Sequence, residues 1–223
     1  MLQLRVGEFR MDAGLLRQTL RYGSVTALQQ SCQPIGKLLI QGAINPLGVD
    51  MIAAFNAVNR VDDYAFTPEQ SISPFVAQNR GAKKTNRIQK GFACGLLLEA
   101  CYWVFIFTVI TLVREPVMRL FVTEGNDAIV ALGSNYLALM AFFYLFPAFT
   151  NGIQGFFRGM GNMSITLLGT FTQTSIRVIF VYLLTPRMGM QGAAWACAVG
   201  WSMMLLLEVP YYVWFMRKRN GEA

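Results

Sequence analysis

The sequence predicts an all-α, polytopic membrane protein with six transmembrane helices. The chain has 223 residues, of which 54% are hydrophobic and only 14% are charged, and its mean hydropathy is +0.41. So few charges among so many apolar residues are unusual for a soluble domain. The apolar residues form six stretches, each about long enough to cross a bilayer.

Breaker residues separate the predicted spans. In chain order they are Asn45-Pro46-Leu47-Gly48, Arg80-Gly81, Gly125-Asn126, Gly159-Met160-Gly161-Asn162, and Pro186 with Gly189. The spans between them are predicted at 22–45, 49–79, 88–113, 128–157, 163–184 and 188–216. We expect an amphipathic cytoplasmic lead-in over 1–21, the six-helix unit over 22–216 and a cytoplasmic tail over 217–223.

The distribution of Lys and Arg predicts the orientation. With a cytoplasmic N-terminus, and with Lys90 at the inner end of the third span counted as inside, 13 of the 19 Lys and Arg residues fall in inside segments, 3 in outside loops and 3 within spans. Such a bias is the positive-inside signal, so both ends are expected in the cytoplasm. The net charge of +7 is therefore attributed to topology, and no nucleic-acid partner is expected.

The sequence offers few residues that could bind a metal ion or a cofactor. There are four cysteines, none in a close pair, and no histidine. We therefore predict no metal site and no cofactor besides a coupling ion. Since no nucleophile–base pair or metal-ligand set is recognisable, we expect no enzymatic activity.

The first span carries a polar stripe. Its members recur at four-residue intervals and share one helix face; they are Gln29, Gln33, Lys37, Gln41 and Asn45. Such a face in lipid must point at protein or water. It either bonds neighbouring helices or lines an aqueous cavity, and its length and its lysine favour the cavity.

The second span is also polar. Asn56 and Arg60 extend the expected cavity lining, with Tyr144 and Asn151 from the fourth span. Charge at bilayer depth is costly unless it is paired or hydrated, so it indicates a transport pathway. The candidates for binding a coupling cation are Asp62, Asp63 and, foremost, Glu69, which has no cation at its depth and would favour a protonated form.

Two further acids lie at the inner half of the bilayer, Glu99 and Glu208. We expect both to reach the cytoplasmic rim or to pair with arginines there, on helices farther from the cavity than Glu69.

Five segments, in order, resemble the multidrug and toxic compound extrusion (MATE) family. They are Gly42-Ala43-Ile44-Asn45, Gly48-Val49-Asp50-Met51-Ile52-Ala53-Ala54, Gln78-Asn79-Arg80-Gly81-Ala82, Phe157-Arg158-Gly159-Met160-Gly161-Asn162 and Gly189-Met190-Gln191-Gly192-Ala193-Ala194-Trp195-Ala196. The resemblance runs from about Leu16 to Met216.

The resemblance implies twelve helices in two six-helix lobes around a central cavity. It implies antiport of drugs or metabolites, expected to be organic cations, against H⁺ or Na⁺. This chain matches the second lobe alone, which makes it one lobe of a two-lobe transporter. Its expected partners are membrane lipids and a missing N-terminal lobe or a second copy of itself, in a bacterial inner membrane.

Two departures from the family pattern matter. Some bacterial members bind the coupling cation with acids on their seventh and tenth helices. The corresponding first and fourth spans here offer Gln29, Gln30 and Gln33 but no interior acid. The stretch 68–78 is also about one turn shorter than the family pattern. Two alternatives stay open, a flippase of the same superfamily for a lipid-linked precursor and a non-transporting remnant or assembly subunit.

Overall fold

The structure, a computed structural model, describes residues 12–65, 71–121 and 127–221, without the side chains of 63–65, 220 and 221. All regular structure in these residues is helical, as the sequence predicts. The helices are α1 (Ala13–Ile44), α2 (Val49–Ala65), α3 (Ile72–Gly81), α4 (Thr85–Phe121), α5 (Asp127–Phe143), α6 (Leu145–Gly159), α7 (Met163–Met188) and α8 (Met190–Gly221).

The ends of the helices follow local chemistry. The Asp12 carboxylate caps α1 by accepting hydrogen bonds from the backbone N–H groups of Gly14, at 2.7 Å, and Leu15, at 3.2 Å. A 3₁₀ turn, Asn45–Leu47, and Gly48 with φ of 102° reverse the chain before α2. Gly189, with φ of 59°, makes the corresponding turn between α7 and α8.

Helix α1 is longer than the first predicted span. It includes residues 13–21, which the sequence assigned to a lead-in. Its 32 residues correspond to roughly 48 Å, at about 1.5 Å per residue.

Two predicted spans are divided in the structure. The second corresponds to α2 and α3, on either side of residues 66–70, which lie outside the described part. The fourth corresponds to α5 and α6, which bend by 46° at Tyr144. Pro147 follows three residues later and lacks the N–H that would continue the hydrogen-bond ladder. A hydropathy pattern records length and apolarity, so the sequence predicted one span over 128–157.

Helix α4 continues past the end predicted at residue 113. Val113 has non-helical angles, φ −116° and ψ 16°, and the helix resumes through Pro116 to Phe121. The proline kinks the helix here rather than ending it.

The described helices support a membrane protein, although they do not confirm six spans. By length and composition α4, α7 and α8 can each cross a bilayer, and α5 with α6 gives a fourth span if the bent pair counts as one. Large apolar side chains on the outer surface are exposed, among them Leu112 at 76% and Leu206 at 65%. Such a surface suits contact with lipid.

Helix packing produces two apolar clusters. Helix α7 packs against α1 and α8, while α6 packs against α3, α4 and α8, and α5 packs against α2, α4 and α8. The larger cluster includes Ile44, Val58, Leu137 and Val181. The smaller includes Phe156 and Phe157 with aromatic residues near the end of α8.

Polar side chains lie between the two clusters. Along α7, Ile165 belongs to the smaller cluster and Val181 to the larger, and Thr170, Gln173 and Arg177 come between them. The polar residues of several helices meet at this level, and this arrangement positions the site.

Candidate functional site

A polar cavity of about 260 Å³ opens between the helices. Six helices contribute its wall, so no single segment of the sequence defines it. The lining residues are Gln29, Gln30, Gln33, Lys37, Asn59, Asp62, Met140, Pro147, Asn151, Gln154, Arg158, Thr170, Gln173, Arg177 and Trp201.

The polar stripe of α1 faces this cavity over part of its length. Gln29, Gln33 and Lys37 line the wall, and four-residue spacing in one helix accounts for their shared direction. Gln41 does not line the cavity, and its amide nitrogen donates a hydrogen bond to Asn45 Oδ1 at 3.0 Å. Gln29 bonds to Gln154 of α6 and Thr170 of α7, so the stripe combines both roles considered from the sequence.

Helix α2 contributes through Asn59 and Asp62. The Tyr144 hydroxyl donates a hydrogen bond to Asp62 Oδ1, which places Tyr144 behind the carboxylate rather than on the wall. Asn56 and Arg60 are exposed and are not among the lining residues.

Two of the three candidates for binding a coupling cation have side chains outside the described part of the chain. Glu69 lies outside the described residues, and so does the side chain of Asp63. Asp62 is 9% exposed and lines the cavity, so it stays a candidate. Asn151 also lines the wall.

Arg177 forms the cationic part of the wall on α7. It is 9% exposed and interacts electrostatically with Asp62, Tyr136 and Cys197. Asp62 and Arg177 both line the cavity, so they place opposite charges in one wall.

Gln154 of α6 joins four helices. Its amide nitrogen donates hydrogen bonds to Thr170 Oγ1 at 3.0 Å, Glu208 Oε1 at 3.1 Å and the Thr166 carbonyl at 3.3 Å. Its amide oxygen accepts a hydrogen bond from Gln29 Nε2 at 3.1 Å, and Gln29 also donates to Thr170 Oγ1 at 3.0 Å. These side chains, from α1, α6, α7 and α8, are the amide network.

The two inner acids are buried rather than extended to the rim. Glu99 is 7% exposed and Glu208 is 0% exposed. Each lies against a glycine, since a Cβ added at Gly152 would come within 2.6 Å of Glu99 Oε2, and one at Gly169 within 2.4 Å of Glu208 Oε1. Of the two arrangements expected for Glu208, extension to the rim does not fit its burial, whereas its electrostatic interaction with Arg158, placed near the rim from the sequence, fits the second.

The wall carries more positive than negative charge. Among the described lining residues, Lys37, Arg158 and Arg177 are cations and Asp62 is an acid. The described residues contain no group of three or more His, Cys, Asp or Glu that could hold a metal ion.

Sequence reasoning missed several members of this site. Gln154, Thr170 and Gln173 were not predicted to line a cavity. Thr166, Thr170, Gln173 and Arg177 recur on α7 at intervals of three or four residues, and this spacing was the available signal.

The fold and the site define a helical membrane protein with a polar cavity inside one lobe. The family model described as MatE matches residues 26–183, and the chain belongs to that family. The resemblance stated from the sequence motifs is thereby confirmed.

The curated relatives that match are described as probable multidrug resistance proteins. YpnP of Bacillus subtilis is 25% identical over 198 residues, which cover 86% of this chain and 44% of that relative. NorM of Thermotoga maritima is 24% identical over 201 residues, which cover 83% of this chain and 43% of that relative. The chain thus spans less than half the length of either relative.

Solved structures of similar fold show the same partial coverage. A crystal structure of MATE in complex with MaL6 has a TM-score of 0.87 at 16% identity and covers 99% of this chain and 50% of that one. A MOP superfamily transporter from Pyrococcus furiosus, for which a "reverse polarity of binding pocket" is described, has a TM-score of 0.78 at 19% identity. The matched region covers 91% of this chain and 45% of the Pyrococcus furiosus chain.

Proposed function

We propose that this chain is one lobe of a two-lobe exporter that moves drugs or metabolites across the membrane in exchange for H⁺ or Na⁺. The observation that carries the proposal is the polar cavity, because three cations, an acid and several amides line it in a chain whose outer surface is apolar. Charge at this depth is costly unless it serves a hydrated pathway or is paired.

The second lobe is part of the proposal. A cavity that alternately faces the two sides of the membrane is formed between two halves that move against each other. The relatives described as multidrug resistance proteins are more than twice the length matched here. The facing half is supplied by a separate chain, by a second copy or by the rest of a longer chain. We place the assembly in a bacterial inner membrane with both ends of this chain cytoplasmic.

The charge of the wall favours a second candidate, transport of molecules with an anionic group, such as a lipid-linked precursor. Lys37, Arg158 and Arg177 outnumber Asp62 at the wall. A guanidinium binds phosphate or carboxylate through paired hydrogen bonds, and an ammonium does so as a point charge. The Pyrococcus furiosus transporter, described with a pocket of reversed polarity, has a similar fold.

We expect this chain expressed alone to leave ethidium accumulation in cells unchanged, because exposing a substrate to the two sides in turn needs a second half that moves against this one. Co-expression with the N-terminal half of the Thermotoga maritima relative should produce active efflux, measured as lower steady-state fluorescence. Active efflux by the chain alone, with no homodimer detected by crosslinking, would contradict the two-lobe proposal.

A transport assay in proteoliposomes that contain both lobes separates the two candidate classes of substrate. Proteoliposomes loaded with carboxyfluorescein report an anionic substrate, and those loaded with ethidium report a cationic one. Lys37→Gln should slow carboxyfluorescein transport if anions are the substrates. Arg60→Gln is the matched control, because Arg60 is exposed and does not line the cavity.

A further inference from the structure

Glu208 is a fully buried acid with one unsatisfied oxygen. It is 0% exposed on α8 and lies against Gly169 of α7. Its Oε1 accepts a hydrogen bond from Gln154, whereas its Oε2 has no hydrogen-bond partner within the described part of the chain. A carboxylate buried in this way loses its hydration and gains one hydrogen bond in return.

One side chain separates this acid from the cavity. Gln154 lines the cavity and donates to Glu208 Oε1. Gln29 and Thr170, which bond to Gln154, also line the wall. A rotation of the Gln154 amide would therefore connect the carboxyl group to water in the cavity, and no helix would have to move.

The surroundings of Glu208 favour a proton over a metal cation. Hard metal cations need several oxygen ligands, but Glu208 is faced by the amide nitrogen of Gln154 and by the charge of Arg158 on α6. On α7 it meets the backbone of Gly169, and α5 has its only charged residue, Asp127, at its first position. Helix α4 contacts α8 through the rings of Phe92 and Tyr212, whose centroids are 5.1 Å apart.

We propose that Glu208 is a proton-exchanging site of this lobe, reached from the cavity through Gln154; this rests on the proposed transport function. Hydronium in the cavity gives its proton to Oε2, an O–H bond forms there, and water is released. The Gln154 amide releases Oε1 as it rotates and donates to it again once the proton has been transferred. Uptake removes a negative charge from behind a wall that holds three cations, so it weakens the binding of an organic cation and favours its release.

The test is infrared difference spectroscopy of the purified full chain in lipid nanodiscs, with a pH step as the trigger. Wild type should show a protonated-carboxyl C=O band that appears on acidification. Glu208→Gln should lose that band, because the amide keeps the shape and still accepts from Gln154 but cannot titrate. Glu99→Gln, which alters another buried acid, should retain it. Glu208→Gln spectra equal to wild type at every pH would overturn the proposal.

Two further measurements make the outcome independent of folding and of transport. Circular dichroism shows whether Glu208→Gln folds. If it does not, Glu208→Asp takes its place, and the proposal requires that this variant shift the carboxyl band. An unshifted band would reject Glu208 as the proton-exchanging residue. Gln154→Leu keeps the acid but should slow the appearance of the band after the pH step, at a temperature where circular dichroism shows that it and wild type are both folded. An unchanged rate rejects the Gln154 route. Because these spectra require no transport, a lack of efflux in the two-lobe assay would reject the function, and it would leave the evidence for the site intact.

Discussion

Replacing Gln154 with leucine should destabilise the chain strongly. Leucine fills a similar volume but removes the donor to Glu208 Oε1 and Thr170 Oγ1 and the acceptor for Gln29 Nε2. A buried polar group that loses its partner costs about 1–3 kcal/mol. Since α1, α6, α7 and α8 meet at this residue, we expect a clear fall in the melting temperature of the protein in detergent, followed by intrinsic fluorescence.

Gln33→Leu is the matched control for this substitution. Gln33 lines the same cavity, but it is exposed and makes no side-chain hydrogen bond within the described residues. Its melting temperature should stay close to that of wild type. Equal losses in the two variants would show that the amide network does not hold the helices together.

Gly159→Ala should separate α3 from α6. A Cβ at Gly159 would lie 2.6 Å from both the Ser73 carbonyl oxygen and Val76 Cβ, and a backbone atom cannot yield as a flexible side chain can. Gly155, one turn earlier, faces Ile72, whose Cβ would lie 3.2 Å from an added Cβ, so the two glycines form a small-residue interface. Overpacking of this kind costs about 1–3 kcal/mol.

The measurement is again thermal unfolding in detergent, with Gly81→Ala as the control. Gly81 ends α3, and a Cβ there would meet nothing within 4 Å. We expect a lower melting temperature for Gly159→Ala and little change for Gly81→Ala. If Gly159→Ala melted like wild type, the close contact of α3 and α6 would be wrong.

The helical class and several turns could be predicted from the sequence because each depends on local residues. Gly48 and Gly189 have positive φ at the turns where the sequence placed breakers. The division of the fourth span at Tyr144 and the continuation of α4 beyond Val113 were not predicted, because proline inside an apolar stretch marks either an end or a bend. Packing of the surrounding helices decides between these, and hydropathy does not record it.

The part of the site that lies on a single helix could be predicted from the sequence. The α1 stripe has a regular spacing, so Gln29, Gln33 and Lys37 could be placed on one face in advance. The significance of Gln154 and Glu208 arises from the contact between α6 and α8. A sequence pattern within one helix does not contain that information.

The claim that one face of α1 lines a water-filled cavity is tested most directly by cysteine labelling in native membranes. The background is a variant in which Cys32, Cys94, Cys101 and Cys197 are replaced by alanine. Single cysteines are placed at Gln33, on the cavity wall, and at Ile35, which is 56% exposed and outside the wall.

Both positions lie at nearly the same depth, two residues apart on opposite faces of the helix. We expect a water-soluble maleimide to label Gln33→Cys much faster than Ile35→Cys, because a thiolate forms readily in water but not in lipid. Equal labelling rates, or faster labelling at position 35, would contradict the cavity.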